Sequence, residues 1–236
     1  MQPHSISQVW DQVTGTQAAP SSALVWAMAA VALVAVGWRA VWQLSRNVVT
    51  IAHEGGHALV ALLMRRRLHG IRLHSDTSGL TVSSGKPYGP GMVFTAAAGY
   101  TAPSLLGLGG AWLLSAGHTT ALLWAVVALL LGVLIEVRNA FGVLTVLTTG
   151  VLCFAVSWFG GAELQGAFAY LSVFFLLLGG VRPVVELQSK RARGQAHDSD
   201  ADQLARLTRL PGLLWVVLFL VVSLGALALG ARWLLP

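Results

Sequence analysis

His53-Glu54-Gly55-Gly56-His57 is the stretch of this 236-residue chain whose residue types and spacing spell out a reaction. On a helix, positions four apart share a face, so both imidazoles can bind one Zn²⁺ while the neighbouring carboxylate reaches a water held at the metal. Glu54 is then the general base and not a ligand. It would take a proton as the water attacks a peptide carbonyl and pass it to the leaving amine, which is metal-assisted hydrolysis.

A catalytic zinc takes three protein ligands and keeps a fourth position open, so two histidines are not enough. Asp198, Asp200 and Asp202 form the densest carboxylate group, while His69, His74, Asp76, Glu136 and His197 are further donors. Read from composition alone, the acidic group is equally a solvated linker that balances Lys190, Arg191 and Arg193. Gly55 and Gly56 each cost about 1 kcal/mol of helix propensity relative to Ala, and in exchange another backbone can approach closely.

The elements that must position these groups lie in lipid. Hydrophobic residues make up 56% of the chain and charged residues only 10%, against about 25% charged in an ordinary soluble domain. The expected architecture is an all-α polytopic, multi-pass membrane protein. Apolar runs long enough to span fall at 22–43, 91–116, 119–135, 140–159, 162–181 and 213–235. With the helical stretch 47–64 that carries the motif, this predicts six to seven membrane helices. Three ionisable residues within five positions of such a helix are costly unless they face protein or water, which favours function over a polar cluster that merely joins helices.

Residues 1–21 are polar, lack Lys and Arg, and read as a flexible tail ahead of a single membrane-embedded domain over 22–236. After the motif helix, Ile71 and Leu73, then Thr77-Ser78-Gly79, then Leu80 and Val82 predict a short β-hairpin over 70–84. Its strand edge is a candidate clamp for an extended substrate peptide. Residues 182–210 read as the only long polar loop, and Ala96-Ala97-Ala98-Gly99 as a small-residue packing surface.

Of the 15 Lys and Arg residues, eleven fall between 65 and 86 or between 182 and 209, the bias of cytoplasmic loops. Arg39 and Arg46 fit that orientation only if the 47–64 helix enters the membrane without crossing it. No aromatic residues interleave with these charges to stack bases, so nucleic acid is not an expected partner. Cys153, the single cysteine, is read as a small buried hydrophobe.

The motif helix, the hairpin 70–81, Ala97-Ala98-Gly99-Tyr100 with Pro103-Ser104-Leu105, Arg138-Asn139-Ala140-Phe141-Gly142 and Ser199-Asp200-Ala201-Asp202 together resemble the M50 peptidases. The likeness is to their M50B-like branch, related to site-2 proteases, and runs from about 47 to 215. It implies an intramembrane zinc metalloprotease of the bacterial cell membrane that cleaves peptide bonds in or near membrane segments of protein substrates. His53 and His57 would be ligands and Glu54 the base. Site-2 proteases take their third ligand from an Asp-Gly motif, which this chain lacks. The Ser-Asp-Ala motif of the M50B-like branch instead implies Asp200. Asn139 corresponds to an asparagine that contacts substrate backbone, although Ala140 stands where that family often has Pro. The missing Asp-Gly motif also leaves an alternative: a catalytically silent M50-like membrane scaffold or binding protein.

Overall fold

A computed structural model describes residues 6–196 and 198–236, with Ile6 described in its backbone alone. Nine helices and a two-stranded sheet follow one another among the described residues: α1 (Ile6–Thr14), α2 (Ser22–Gly37), α3 (Arg39–Leu63), β1 (Arg67–Leu73), β2 (Gly79–Ser84), α4 (Pro90–Ser115), α5 (Thr119–Glu136), α6 (Ala140–Phe159), α7 (Ala162–Ala192), α8 (Asp200–Thr208) and α9 (Gly212–Leu234).

Four of these, α5, α6, α7 and α9, are long and apolar enough to cross a membrane. The pair α2 and α3, bent by 100° at a break beside Trp38, counts at most as a fifth. By length and composition four to five helices thus qualify as spans, where six to seven were expected. α2 has only 16 residues, and the Gly, Thr and Ser residues of α4 hold down its hydropathy despite its 26-residue length. Exposed Leu and Val side chains along α5, α6 and α9 suit a lipid surround, where apolar contact carries no penalty.

The interior divides into three apolar clusters. The largest joins α2, α4, α5, α7 and α9 around Phe174, Leu177 and Trp42 of α3. α7 approaches α4 closely where Gly180 faces Ser104 with no room for a Cβ and where Gly107 faces Leu177, at which a Cβ would lie 3.0 Å from the Leu177 backbone nitrogen. A second cluster, with Ile51, Ile71, Leu73, Val137 and Val146, seats the hairpin on α3, α5 and α6. A third, with Ala96, Val184, Leu187, Ala201, Leu204 and Phe219, seats α8 against α4, α7 and α9.

Three expectations change in detail. The presumed tail contains α1, and the stretch after it is tied to the α4–α5 turn: Gln17 N donates to Gly117 O, and Thr120 N donates to the Gln17 side chain. Residues 1–5 lie outside the described residues. The hairpin begins at Arg67, earlier than expected. The polar loop 182–210 is mostly helical, because α7 runs on to Ala192 with an Arg182–Glu186 pair one turn apart and α8 covers Asp200–Thr208.

Candidate metal centre

The motif stands mid-helix in α3, where α4 packs against it. A Cβ on Gly56 would collide with Ala102 and lie 3.1 Å from the Ala98 carbonyl, so the glycine lets the two backbones approach. Gly99 of α4 faces the imidazoles, and a Cβ there would occupy the space beside Nε2 of both His53 and His57. His57 Nδ1 lies 2.7 Å from the Thr95 carbonyl oxygen. A carbonyl can only accept, so Nδ1 carries the proton and Nε2 presents its lone pair to the centre. The edge of the His53 ring meets Tyr100 at 4.8 Å between centroids, and Tyr100 stacks on Phe219.

The third group arrives from the other end of the chain. Asp200 opens α8 and brings Oδ2 to 3.2 Å from His57 Nε2 and 3.3 Å from His53 Nε2, while the two histidine nitrogens are 3.2 Å apart. Oδ2 is buried and accepts no hydrogen bond among the described residues. Burial works to raise the Asp200 carboxyl, but His57 and His53 beside it outweigh this and hold it below the ordinary carboxylate range. To hold a metal here the carboxyl would have to be ionised.

Three electron-pair donors facing one another at this spacing repel unless a cation or protons lie among them. Corners 3.2–3.3 Å apart belong to a tetrahedron whose centre lies about 2.0 Å from each, the reach of zinc to nitrogen and carboxylate oxygen. The donor set, two imidazoles and a carboxylate, is one that zinc accepts with a position left open. The residues present therefore fit the ion that the spacing of the motif implies.

α8 is held by a polar clamp. Ser199 caps it by accepting from Asp202 N, the Asp202 carboxylate accepts from Ser199 Oγ at 2.6 Å, and Arg191 at the end of α7 pairs with Asp202. Glu54 is 4% exposed and lies under the hairpin, where Thr81 Oγ1 donates to its Oε2 at 2.6 Å. Gly79 rests on the same carboxylate, so that a Cβ would come within 2.5 Å of Oε1. The alternation of β2 thus runs opposite to the apolar-in pattern. Gly79, Thr81 and Ser83 face inward, whereas Leu80 and Val82 are 51% and 43% exposed.

Asn139 is not at the metal centre. Its Nδ2 donates to Leu73 O at 2.7 Å, and its Oδ1 accepts from Leu73 N at 3.1 Å. With Arg138 N donating to Ile71 O and the Ile71–Val137 bridge, residues 137–139 cover the outer edge of β1. Each end of the amide makes one bond to the hairpin, so the structure shows Asn139 as a hairpin clasp. The other donors also lie elsewhere: His69 meets Ser84, His74 and Asp76 bond Ser78 in the hairpin turn, Glu136 pairs with Arg138, and Asp198 is exposed near Arg206. His197 is outside the described residues. Sequence reasoning gave no role to Thr81, Thr95, Tyr100 or Gly99. The first three lack a local pattern, and Gly99 sat in a run already explained by packing.

Residues 26–230 match the family model described as Peptidase M50B-like. The chain belongs to the Peptidase M50B-like family. No curated protein and no solved structure matches it. Membership extends over the helices that build the centre, from α2 to α9, so His53, Glu54, His57 and Asp200 all lie inside the matched range.

Proposed function

We propose that this M50B-like protein is an intramembrane zinc endopeptidase, an integral protein of the bacterial cell membrane that hydrolyses peptide bonds in or near membrane segments of other proteins. The observation that carries the reading is the convergence of Asp200 Oδ2, from α8, with His53 and His57, from the helix that also bears Glu54, within 3.3 Å of one another. A zinc ion held by these three side chains would supply a Lewis acid for water and for the scissile carbonyl.

The chain's own residues account for the rest. Thr95 fixes the tautomer of His57, and Tyr100 limits rotation of His53. Glu54 takes a proton from the attacking water at its carboxylate and returns it to the leaving nitrogen, so the C–N bond breaks to give an acid and an amine. Thr81 holds that carboxylate in one orientation through Oε2. Residues 137–139 occupy the edge of β1, which leaves the outer edge of β2 to accept an extended peptide by strand addition, next to the residues that cover Glu54.

Glu54→Gln tests this reading. The variant is expected to keep stoichiometric zinc while cleavage of a membrane-protein substrate in reconstituted vesicles falls roughly 100- to 10,000-fold. Unchanged cleavage would overturn the assignment of the base and with it the enzymatic reading.

A further inference from the structure

A second polar site lies where α2 breaks into α3 and α7 runs past them. A cavity of about 320 Å³ is lined by Arg39, Trp42, Arg46, Arg182, Lys190 and Arg193, with Glu186 as its one carboxylate. Trp42 is 1% exposed and forms the floor. The guanidinium groups of Arg182 and Arg46 lie over its ring at 4.9 and 5.6 Å from the centroid. Glu186 organises this layer, accepting from Trp42 Nε1 at 3.1 Å and Arg182 Nε at 2.9 Å and pairing with Arg46 Nη2 at 3.4 Å. Arg182 Nη1 also caps the end of α2 through the Val36 carbonyl.

A single carboxylate cannot balance five cations. Each guanidinium has five N–H donors in a fixed fork, so Arg46 and Arg182 keep donors to spare after binding Glu186. Among the described residues, Arg39, Lys190 and Arg193 have no ion-pair partner, and all three stand at the exposed rim. Val185, 52% exposed, lines the mouth, and Trp38, the chain neighbour of the rim residue Arg39, is 63% exposed. Tryptophan beside arginine at the end of an apolar helix marks the membrane–water interface. Forked donors fixed on an aromatic floor suit a tetrahedral oxyanion, and the apolar shoulder suits acyl chains.

We propose that this pocket binds the phosphate group of an anionic lipid, with Arg46 and Arg182 as fixed donors and Arg39, Lys190 and Arg193 closing over the headgroup. The site is separate from the metal centre and does not depend on peptidase chemistry.

The test uses the full-length protein in zwitterionic detergent, titrated with short-chain phosphatidylglycerol, short-chain phosphatidylcholine or inorganic phosphate, with thermal stabilisation as the readout. Phosphatidylglycerol is expected to stabilise the protein at concentrations at which the other two do not. The rim variant Arg39→Gln/Lys190→Gln/Arg193→Gln, which disturbs no ion pair described above, is expected to weaken that binding by about 100-fold. Arg39→Lys/Arg193→Lys is expected to retain it. Unaltered binding by the rim variant, or equal stabilisation by phosphatidylcholine, would overturn the proposal. So would equal stabilisation by inorganic phosphate, which would assign the pocket to a soluble anion. Tighter binding of an acidic peptide than of the lipid would assign it to a protein partner instead.

Discussion

His53 and His57 sit in the middle of a 25-residue helix that packs against α4 with no room for a Cβ at Gly56, whereas Asp200 opens a nine-residue helix tied down by Arg191, Ser199 and Asp202. The first side of the centre is set by close packing, which changes little with salt or pH. The second is seated by Ala201 and Leu204 but adds a layer of charge and one helix cap, interactions that can be weakened without disturbing the bundle. The difference teaches that two of the candidate ligands are built in with the fold while the third can be adjusted independently. Metal affinity is therefore expected to be tuned from α8.

The comparison breaks most completely on the packed side. His57→Ala is expected to lower zinc affinity by more than about 100-fold, beyond the range of outer-shell changes, and zinc content by metal analysis should fall below detection. Gly99→Ala should act nearly as strongly although it removes no ligand, because its methyl would enter the space beside both Nε2 atoms. Normal zinc content in that variant would mean that α4 yields more readily than its packing indicates.

Intermediate effects belong to α8. Arg191→Ala leaves all three ligands in place but releases Asp202, and a 10- to 100-fold loss of zinc affinity by chelator competition is expected, with thermal stability little changed. A collapse in stability instead would mean that both sides are packed alike.

The smallest effect concerns pH. Burial works to raise the Asp202 carboxyl, but hydrogen bonds from Ser199 and Arg191 outweigh it and keep the group below the ordinary carboxylate value. A group depressed in the folded state contributes stability above its unfolded value, about 3.9, and loses it as pH falls through the folded value. The difference in Tm between wild type and Asp202→Asn should therefore be constant from neutral pH to about 5 and shrink below about 4.

The packed side was also the legible one. A four-residue spacing on a helix is local, so His53, Glu54 and His57 could be read without knowing what surrounds them. Asp200 could be chosen only through the family resemblance, because its meeting with α3 depends on how α7, α8 and α9 pack. Span number was hard to read for a related reason. Hydropathy is a property along the chain, and nothing in it records a 100° bend beside Trp38. That bend also brings Arg39 and Arg46 into one pocket with Arg182, Lys190 and Arg193, where a straight reading set the two groups in conflict. The bonds of Asn139 to Leu73 were not legible because an amide looks the same in sequence whether it meets a substrate or a neighbouring strand.

The contact between Gly79 and Glu54 acts on the sheet as much as on the carboxylate. Leu73 pairs with Gly79 and Ile71 with Thr81, so a slip of β2 by one residue would turn Leu80 or Ser78 towards a space that does not admit even a methyl group. Only one alignment of the hairpin is compatible with a buried, hydrogen-bonded Glu54. Glu54 thereby serves as a gauge for the strand laid over it, and the pairing of the hairpin and the placement of the carboxylate require one another.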